Sequence, residues 1–297
     1  MSRSPAQAYV GRFAPSPSGP LHFGSLVTAL GSCLQARRHG GQWLIRIEDI
    51  DRPRVVHGAA TDQLRTLAQF GLVSDLPVTH QSTFHQRHNQ ALRQLLSRGH
   101  AFHCACTRRQ LPASGIYPGT CRDGLRPKQR PRAVRLRVGH AQLTVFDAVQ
   151  GPLTQDLGKA VGDFIIVRGD GLIAYQLAVV VDDHYSGVTE VVRGADLLES
   201  TPRQMLLYER LGWPHPNYVH LPLVTDANGR KLSKSDHADP LQTQQPVIAF
   251  RQALDVLGHP PPASLTTLSS LWEWALTHWD LSRVPRGPVV IPSPRGL

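Results

Sequence analysis

The sequence predicts an α/β protein built on an open, mostly parallel sheet, and three observations carry that prediction. A semi-apolar run, Tyr9 to Phe13, is followed by a Pro- and Gly-rich segment (Ala14 to Pro20) and then by a helical pattern from about Gly24 to His39, with apolar residues at Leu26, Leu30 and Leu34. Strand, Gly/Pro loop, helix is the order of the first turn of a nucleotide-binding α/β unit. Next, Trp43 to Ile47 reads as a strand buried on both faces apart from Arg46, with Glu48, Asp49 and Asp51 at its carboxyl end. Third, Val188 to Val192 reads as another buried strand, again with charge following it. Ligands of open parallel sheets bind outside the carboxyl ends of the strands, so the first loop and the acidic cluster point at one crevice.

The remaining elements follow in order. Ala59 to Phe70 and Phe84 to Arg98 are helical by periodicity, with Gly71 and Gly99 as stop signals. From about His103 to Pro131 the pattern breaks into a Gly-, Pro- and Arg-rich stretch that reads as an insertion between two halves of the sheet. Ala133 to Val138, Leu143 to Asp147 and Phe164 to Val167 read as strands, the last closed by the turn Gly169-Asp170-Gly171. Leu177 to Asp183 leads into the acidic pair Asp182-Asp183. Helical patterns return at Pro202 to Leu211, Pro246 to Leu257 and Leu268 to Trp279, and the Pro- and Arg-rich residues from Arg283 onward read as poorly ordered. The expected division is 1–100 for the first half of a Rossmann-like core, 101–131 for the insertion, 132–195 for the second half, and 196–297 for a helical region with a lysine-bearing loop and tail.

Composition narrows the class. The chain has 297 residues, 41% hydrophobic and 18% charged, which suits a soluble globular protein with a substantial core. Its 32 basic against 22 acidic residues leave a formal charge of +10, a balance that attracts a polyanion such as RNA. Met1 to Ala8 lacks an apolar signal core, and apolar runs such as Leu177 to Val181 are too short to span a bilayer, so a cytoplasmic protein without membrane contact is expected.

Three constellations carry chemistry. Arg12 to Ser25 ends a Gly/Pro loop at a helix N-terminus, where backbone at Gly24 and Ser25 and the side chain of His22 can approach a phosphate. The chain has no G-x-x-x-x-G-K-[ST], so it is not of the P-loop type. Lys231-Leu232-Ser233-Lys234-Ser235 supplies two lysines that can stabilise charge as pyrophosphate leaves. Finally, Cys104, Cys106 and Cys121 lie close together, whereas Cys33 sits in an apolar helical pattern. Cysteines one residue apart bridge poorly, so the cluster reads as a structural zinc site, one per chain, in a reducing compartment. Three thiolates leave it one ligand short; His103 and Tyr117 are the candidates.

Together these segments resemble the class I aminoacyl-tRNA synthetases: HFGS stands for their HIGH signature and KLSKS for KMSKS. GRFAPSPSGPLHFGSL, RIEDID, FIIVR, VDDHYSGVTEVVRGADLLEST and HLPLV resemble the glutamyl branch and, within it, the truncated glutamyl-Q family, over most of the chain to about residue 240. The resemblance implies a class I catalytic core without an anticodon-binding domain, for which the roughly sixty residues beyond position 240 are too few. It also implies tRNA-independent activation of glutamate with ATP and Mg²⁺, then transfer to the queuosine base of tRNA(Asp). Glutamate has two carboxylates and one ammonium. Arg12 and Arg193 suit the former, Glu48 the latter, and Tyr175 offers a hydroxyl; the resemblance places all four at the glutamate pocket with Phe13, Ala14, Pro15 and Ser16. His22, Lys231 and Lys234 would act on phosphate, and the family's C-x-C…Y…C pattern selects Tyr117 as the fourth metal ligand. A monomer is expected. Two rivals remain: a shortened glutamyl-tRNA synthetase charging tRNA(Glu), and an inactive paralogue that only binds tRNA.

Overall fold

The computed structural model describes residues 8–226, 229, 241 and 245–291. The elements run β1 (Val10–Phe13), α1 (Phe23–Arg38), β2 (Gln42–Ile47), α2 (Ala59–Gln69), β3 (Thr79–His80), α3 (His85–Ser97), β4 (Ala101–Cys104), β5 (Ala133–Leu136), β6 (Gln142–Asp147), β7 (Gly151–Asp156), α4 (Leu157–Ala160), β8 (Ile165–Val167), α5 (Tyr175–Tyr185), β9 (Glu190–Gly194), α6 (Thr201–Leu211), β10 (Asn217–Leu221), β11 (Val224–Thr225), α7 (Pro246–Val256), α8 (Leu268–His278) and β12 (Val289–Val290).

Strands β1, β2 and β3 form one parallel sheet, and β9 pairs in parallel with β10. The two sheets meet where the Thr189 N–H donates to Val10 O at 2.9 Å and Val10 N–H donates to Thr189 Oγ1 at 3.0 Å. The spatial order is therefore β3-β2-β1-β9-β10. The chain winds outward to both sides from β1 and β9, the reversal at which doubly wound sheets open a crevice. Helix α1 lies against this sheet with Leu26, Leu30 and Leu34 buried, and Trp43 of β2 seals the contact by donating Nε1–H to Ser32 Oγ at 2.9 Å. A second apolar cluster joins α3, α5 and α6 to the antiparallel sheet β4-β5-β8. Between the halves, β6 and β7 form an antiparallel hairpin.

Helices α2 and α3 stop where the glycines lie, with Gly71 at φ +73° and Gly99 at φ +70°, the left-handed position that closes a helix. Leu177 to Asp183, a short apolar run that carries no period of its own, forms the buried middle of α5. Two expectations are corrected. Arg46 is not the exposed member of its strand; it is 2% exposed and ion-paired. Part of the tail is ordered, with β12 adding a parallel strand to β11. Among the described residues no helix is long and apolar enough to cross a membrane.

Candidate active site

Two adjoining clefts open at the carboxyl ends of β1, β2 and β9. The first, about 280 Å³, is walled by Pro15, Ser16, His22, Gly24 and Ser25 on one side and by Gly194, Asp196 and Val224 on the other. His22 is the N-cap of α1, so the N-terminal end of that helix, where the helix dipole is positive, borders the space. The second, about 450 Å³, is lined by Arg12, Phe13, Ala14, Ser16, Glu48, Tyr175 and Arg193. Phe13, Ser16 and Gly194 border both. The sequence-selected residues are thus brought together, apart from Lys231 and Lys234, which lie outside the described residues. Elsewhere along the chain, Val224 lines the first cleft, and Leu241 N–H donates to the O of Leu21, which also lines it, at 2.9 Å.

The second cleft has charged walls with unequal partners. Arg12 is held by Asp183, Nε at 3.2 Å from Oδ1 and Nη2 at 3.2 Å from Oδ2. Arg46 reaches the same carboxylate through Nη1 at 2.7 Å and Glu48 through Nη2 at 3.2 Å. Burial alone would raise the Asp183 carboxyl; Arg12 and Arg46 outweigh it and hold the group below the ordinary aspartate value. For Glu48 burial wins over the pull of Arg46 and Arg12, and its carboxyl titrates above the ordinary glutamate value.

Arg193 differs from both. It is 4% exposed, and among the described residues its hydrogen bonds go only to neutral partners: Nε to His220 Nε2 at 3.0 Å, Nη2 to Thr201 Oγ1 at 2.8 Å and to Leu197 O at 3.3 Å. Its Nη1 is buried with no hydrogen-bond partner. A guanidinium held this way calls for an anion, because a buried charge without a counter-charge is costly.

The cysteine segment folds on itself beside β4. The Sγ atoms of Cys104, Cys106 and Cys121 lie within 4.8 Å of one another and can hold a metal ion. The hydroxyl of Tyr117 stands among them, 3.5 Å from Cys104 Sγ and 3.8 Å from Cys106 Sγ. His103 is exposed, on the opposite face of β4 from the buried Cys104. Arg135 backs the cluster, with its guanidinium 4.1 Å from the Tyr117 ring centre and Nε 3.4 Å from Cys104 Sγ.

Sequence reasoning missed Asp183, Arg46, Thr201, His220 and Asp147, which line neither cleft but stand behind the residues that do. The one available signal was Asp182-Asp183 inside an apolar run, since buried acids require buried cations.

The fold and its clefts define the catalytic domain of a class I synthetase. A family model described as tRNA synthetases class I (E and Q), catalytic domain, matches residues 9–114 and 121–255. Solved structures agree on the fold: a glutamate tRNA ligase from Elizabethkingia meningosepticum, in complex with its amino acid, superposes with a TM-score of 0.81 at 24% identity, covering 95% of this chain and 66% of that one. This chain thus spans about two thirds of that ligase's length. Among curated relatives, the glutamyl-Q tRNA(Asp) synthetase of Chromobacterium violaceum is 51% identical over 291 residues, covering 96% of this chain and 98% of that protein. That of Thiobacillus denitrificans is 50% identical over 292 residues, covering 95% and 97%. The chain belongs to the glutamyl-Q tRNA(Asp) synthetase family of class I synthetases, and it is an enzyme of the aminoacyl-tRNA ligase type.

Proposed function

We propose that the protein activates glutamate with ATP to glutamyl-adenylate without tRNA, and then transfers the glutamyl group to the queuosine base in the anticodon loop of tRNA(Asp). The observation that carries the first half is Arg193, a buried cation without an anion among the described residues, in a cleft whose other wall holds Glu48. Glutamate completes both: a carboxylate on Arg193 and on the remaining nitrogen of Arg12, the ammonium on Glu48, and the Tyr175 hydroxyl beside them. Backbone and side chains from Phe13 to Ser16 form the floor between amino acid and nucleotide. A carboxylate oxygen of glutamate attacks the α-phosphorus of ATP, the bond to the β-phosphate oxygen breaks, and pyrophosphate leaves with its electron pair. The α1 N-terminus at Gly24 and Ser25, with His22, faces the phosphates; Lys231 and Lys234 neutralise the leaving group. Mg²⁺ rides on the ATP, bound through phosphate oxygens and water.

The metal we propose is one structural Zn²⁺ on Cys104, Cys106, Cys121 and Tyr117. Support comes from the spacing: tetrahedral zinc with bonds of about 2.0–2.3 Å separates its ligand atoms by about 3.5–3.8 Å, and Cys106 and Cys121 Sγ are 3.6 Å apart. Arg135 offsets the negative charge of such a site. With zinc bound, residues 101–131 are a pinned, arginine-bearing insertion suited to RNA phosphate, in a cytoplasmic monomer divided as the sequence suggests.

The acceptor is tested by incubating the protein with ATP, labelled glutamate and either queuosine-bearing tRNA(Asp) or tRNA(Glu), then mapping the label with ribonuclease. Label in the anticodon-loop fragment of tRNA(Asp) is expected. Label at the 3′ end of tRNA(Glu) would establish the shortened-synthetase rival, and no glutamate-dependent pyrophosphate exchange would establish the inactive paralogue.

A further inference from the structure

His220 lies near the end of β10, is wholly buried, and touches neither cleft. Its two ring nitrogens are nevertheless both committed. Nδ1 is 2.6 Å from Asp147 Oδ2, and Nε2 is 3.0 Å from Arg193 Nε. A guanidinium nitrogen can only donate, so Nε2 must present a lone pair. The ring is then neutral with its proton on Nδ1, donated to Asp147. Burial works the same way, disfavouring the imidazolium. Asp147 cannot turn away, because its other oxygen accepts the N–H groups of Val149 at 3.0 Å and Gln150 at 2.7 Å.

We propose that Asp147 and His220 are positioning residues for the amino-acid site: Asp147 fixes the His220 tautomer, and His220 Nε2 then holds the Arg193 guanidinium so that Nη1 faces the ligand carboxylate. The chain runs from the tight turn between β6 and β7, through β10, to the end of β9. It fastens the hairpin to the one cation of the cleft that has no anion among the described residues. The Thr201 hydroxyl, 3.2 Å from Nε2 and 2.8 Å from Arg193 Nη2, completes the seat. A guanidinium oriented in advance does not have to be ordered by the substrate, and charge-assisted carboxylate binding depends on that alignment. This inference rests on reading the cleft as a glutamate site.

The test is a tautomer swap. In Asp147→Asn the two backbone N–H groups retain the side-chain oxygen, so the new amide nitrogen faces His220 Nδ1. The ring proton must then move to Nε2, where it meets the Arg193 Nε–H donor to donor. The expected result in ATP–pyrophosphate exchange is a glutamate KM raised about tenfold or more, with the KM for ATP within about twofold of wild type. His220→Gln, whose amide oxygen can accept from Arg193, should recover most of the glutamate affinity. Proton-detected ¹⁵N spectra of the histidine rings, assigned by difference with His220→Gln, should show Nδ1–H in the wild type and Nε2–H in Asp147→Asn. An Nε2–H ring in the wild type, an unchanged glutamate KM in Asp147→Asn, or equal changes for glutamate and ATP would overturn the proposal. A wild-type protein without glutamate-dependent exchange would sink the reading of the cleft instead. The ring spectra need no substrate and would still decide whether Asp147 sets the His220 tautomer.

Discussion

The Asp183 carboxylate lies 3.2 Å from Arg12 Nε, across 171 residues of sequence, and it is shared with Arg46 Nη1 at 2.7 Å. Arg12 is in β1, Arg46 is in β2 and Asp183 is in α5, so one buried anion ties the sheet to a helix and aims the arginine at the cleft. Asp183→Asn leaves two buried guanidinium groups short of charge. It should destabilise the protein by about 3–5 kcal/mol, measured by denaturant unfolding. A loss below about 1 kcal/mol would mean the pair contributes little net stability.

The same carboxylate predicts a pH signature. Its folded-state pKa is depressed below the ordinary aspartate value of 3.8. Its contribution is therefore fully present above the unfolded pKa and is lost as pH falls through the folded one. The stability gap between wild type and Asp183→Asn should be flat from neutral pH to about pH 5 and should close as pH falls below the unfolded value. A gap that widens on acidification would contradict this sign.

Arg193→Ala should raise the glutamate KM about thirtyfold or more, equivalent to about 2 kcal/mol or more, with the ATP KM little changed. Arg193→Lys should recover only part of that, since an ammonium cannot reproduce the fork of hydrogen bonds to His220 and Thr201. Steady-state exchange kinetics at varied glutamate decide it; full activity in the Lys variant would show that charge alone suffices.

Lys234→Ala should cut adenylate formation by orders of magnitude while glutamate affinity changes little, because its proposed role is with the phosphates. Exchange at the wild-type rate in that variant would remove the assignment.

Metal analysis should find one zinc per chain, lost in Cys121→Ser and bound more weakly in Tyr117→Phe, with His103→Ala unaffected. Removal of the metal by a chelator should lower the Tm, since the apolar cluster around Phe102 and Leu111 is organised by the same residues. Metal retention in Tyr117→Phe together with loss in His103→Ala would reverse the choice of fourth ligand.

Much of the fold was legible because its signals are local. The loop from Ala14 to Pro20, the period of α1, the apolar run of β2 and the glycines closing α2 and α3 each act within a few residues. The cysteine cluster was legible for the same reason, and Arg12, Glu48 and Arg193 stand in contiguous motifs whose resemblance to a known family carried them. By contrast, Leu177 to Val181 gave no element type: a short, wholly buried apolar run has the same composition in helix and strand.

The sequence by itself determined the class of chemistry: a nucleotide-binding α/β core, a basic chain suited to RNA, and the residue types that a dicarboxylate amino acid requires. Tertiary structure decided which of those residues are free to use their charge. Arg12 and Arg193 read alike along the chain, yet one is ion-paired to Asp183 and the other, among the described residues, hydrogen-bonds to His220, Thr201 and a carbonyl. Charge is a property of the side chain; the need for a counter-charge comes from burial and from partners brought from distant positions, and only the folded chain sets those.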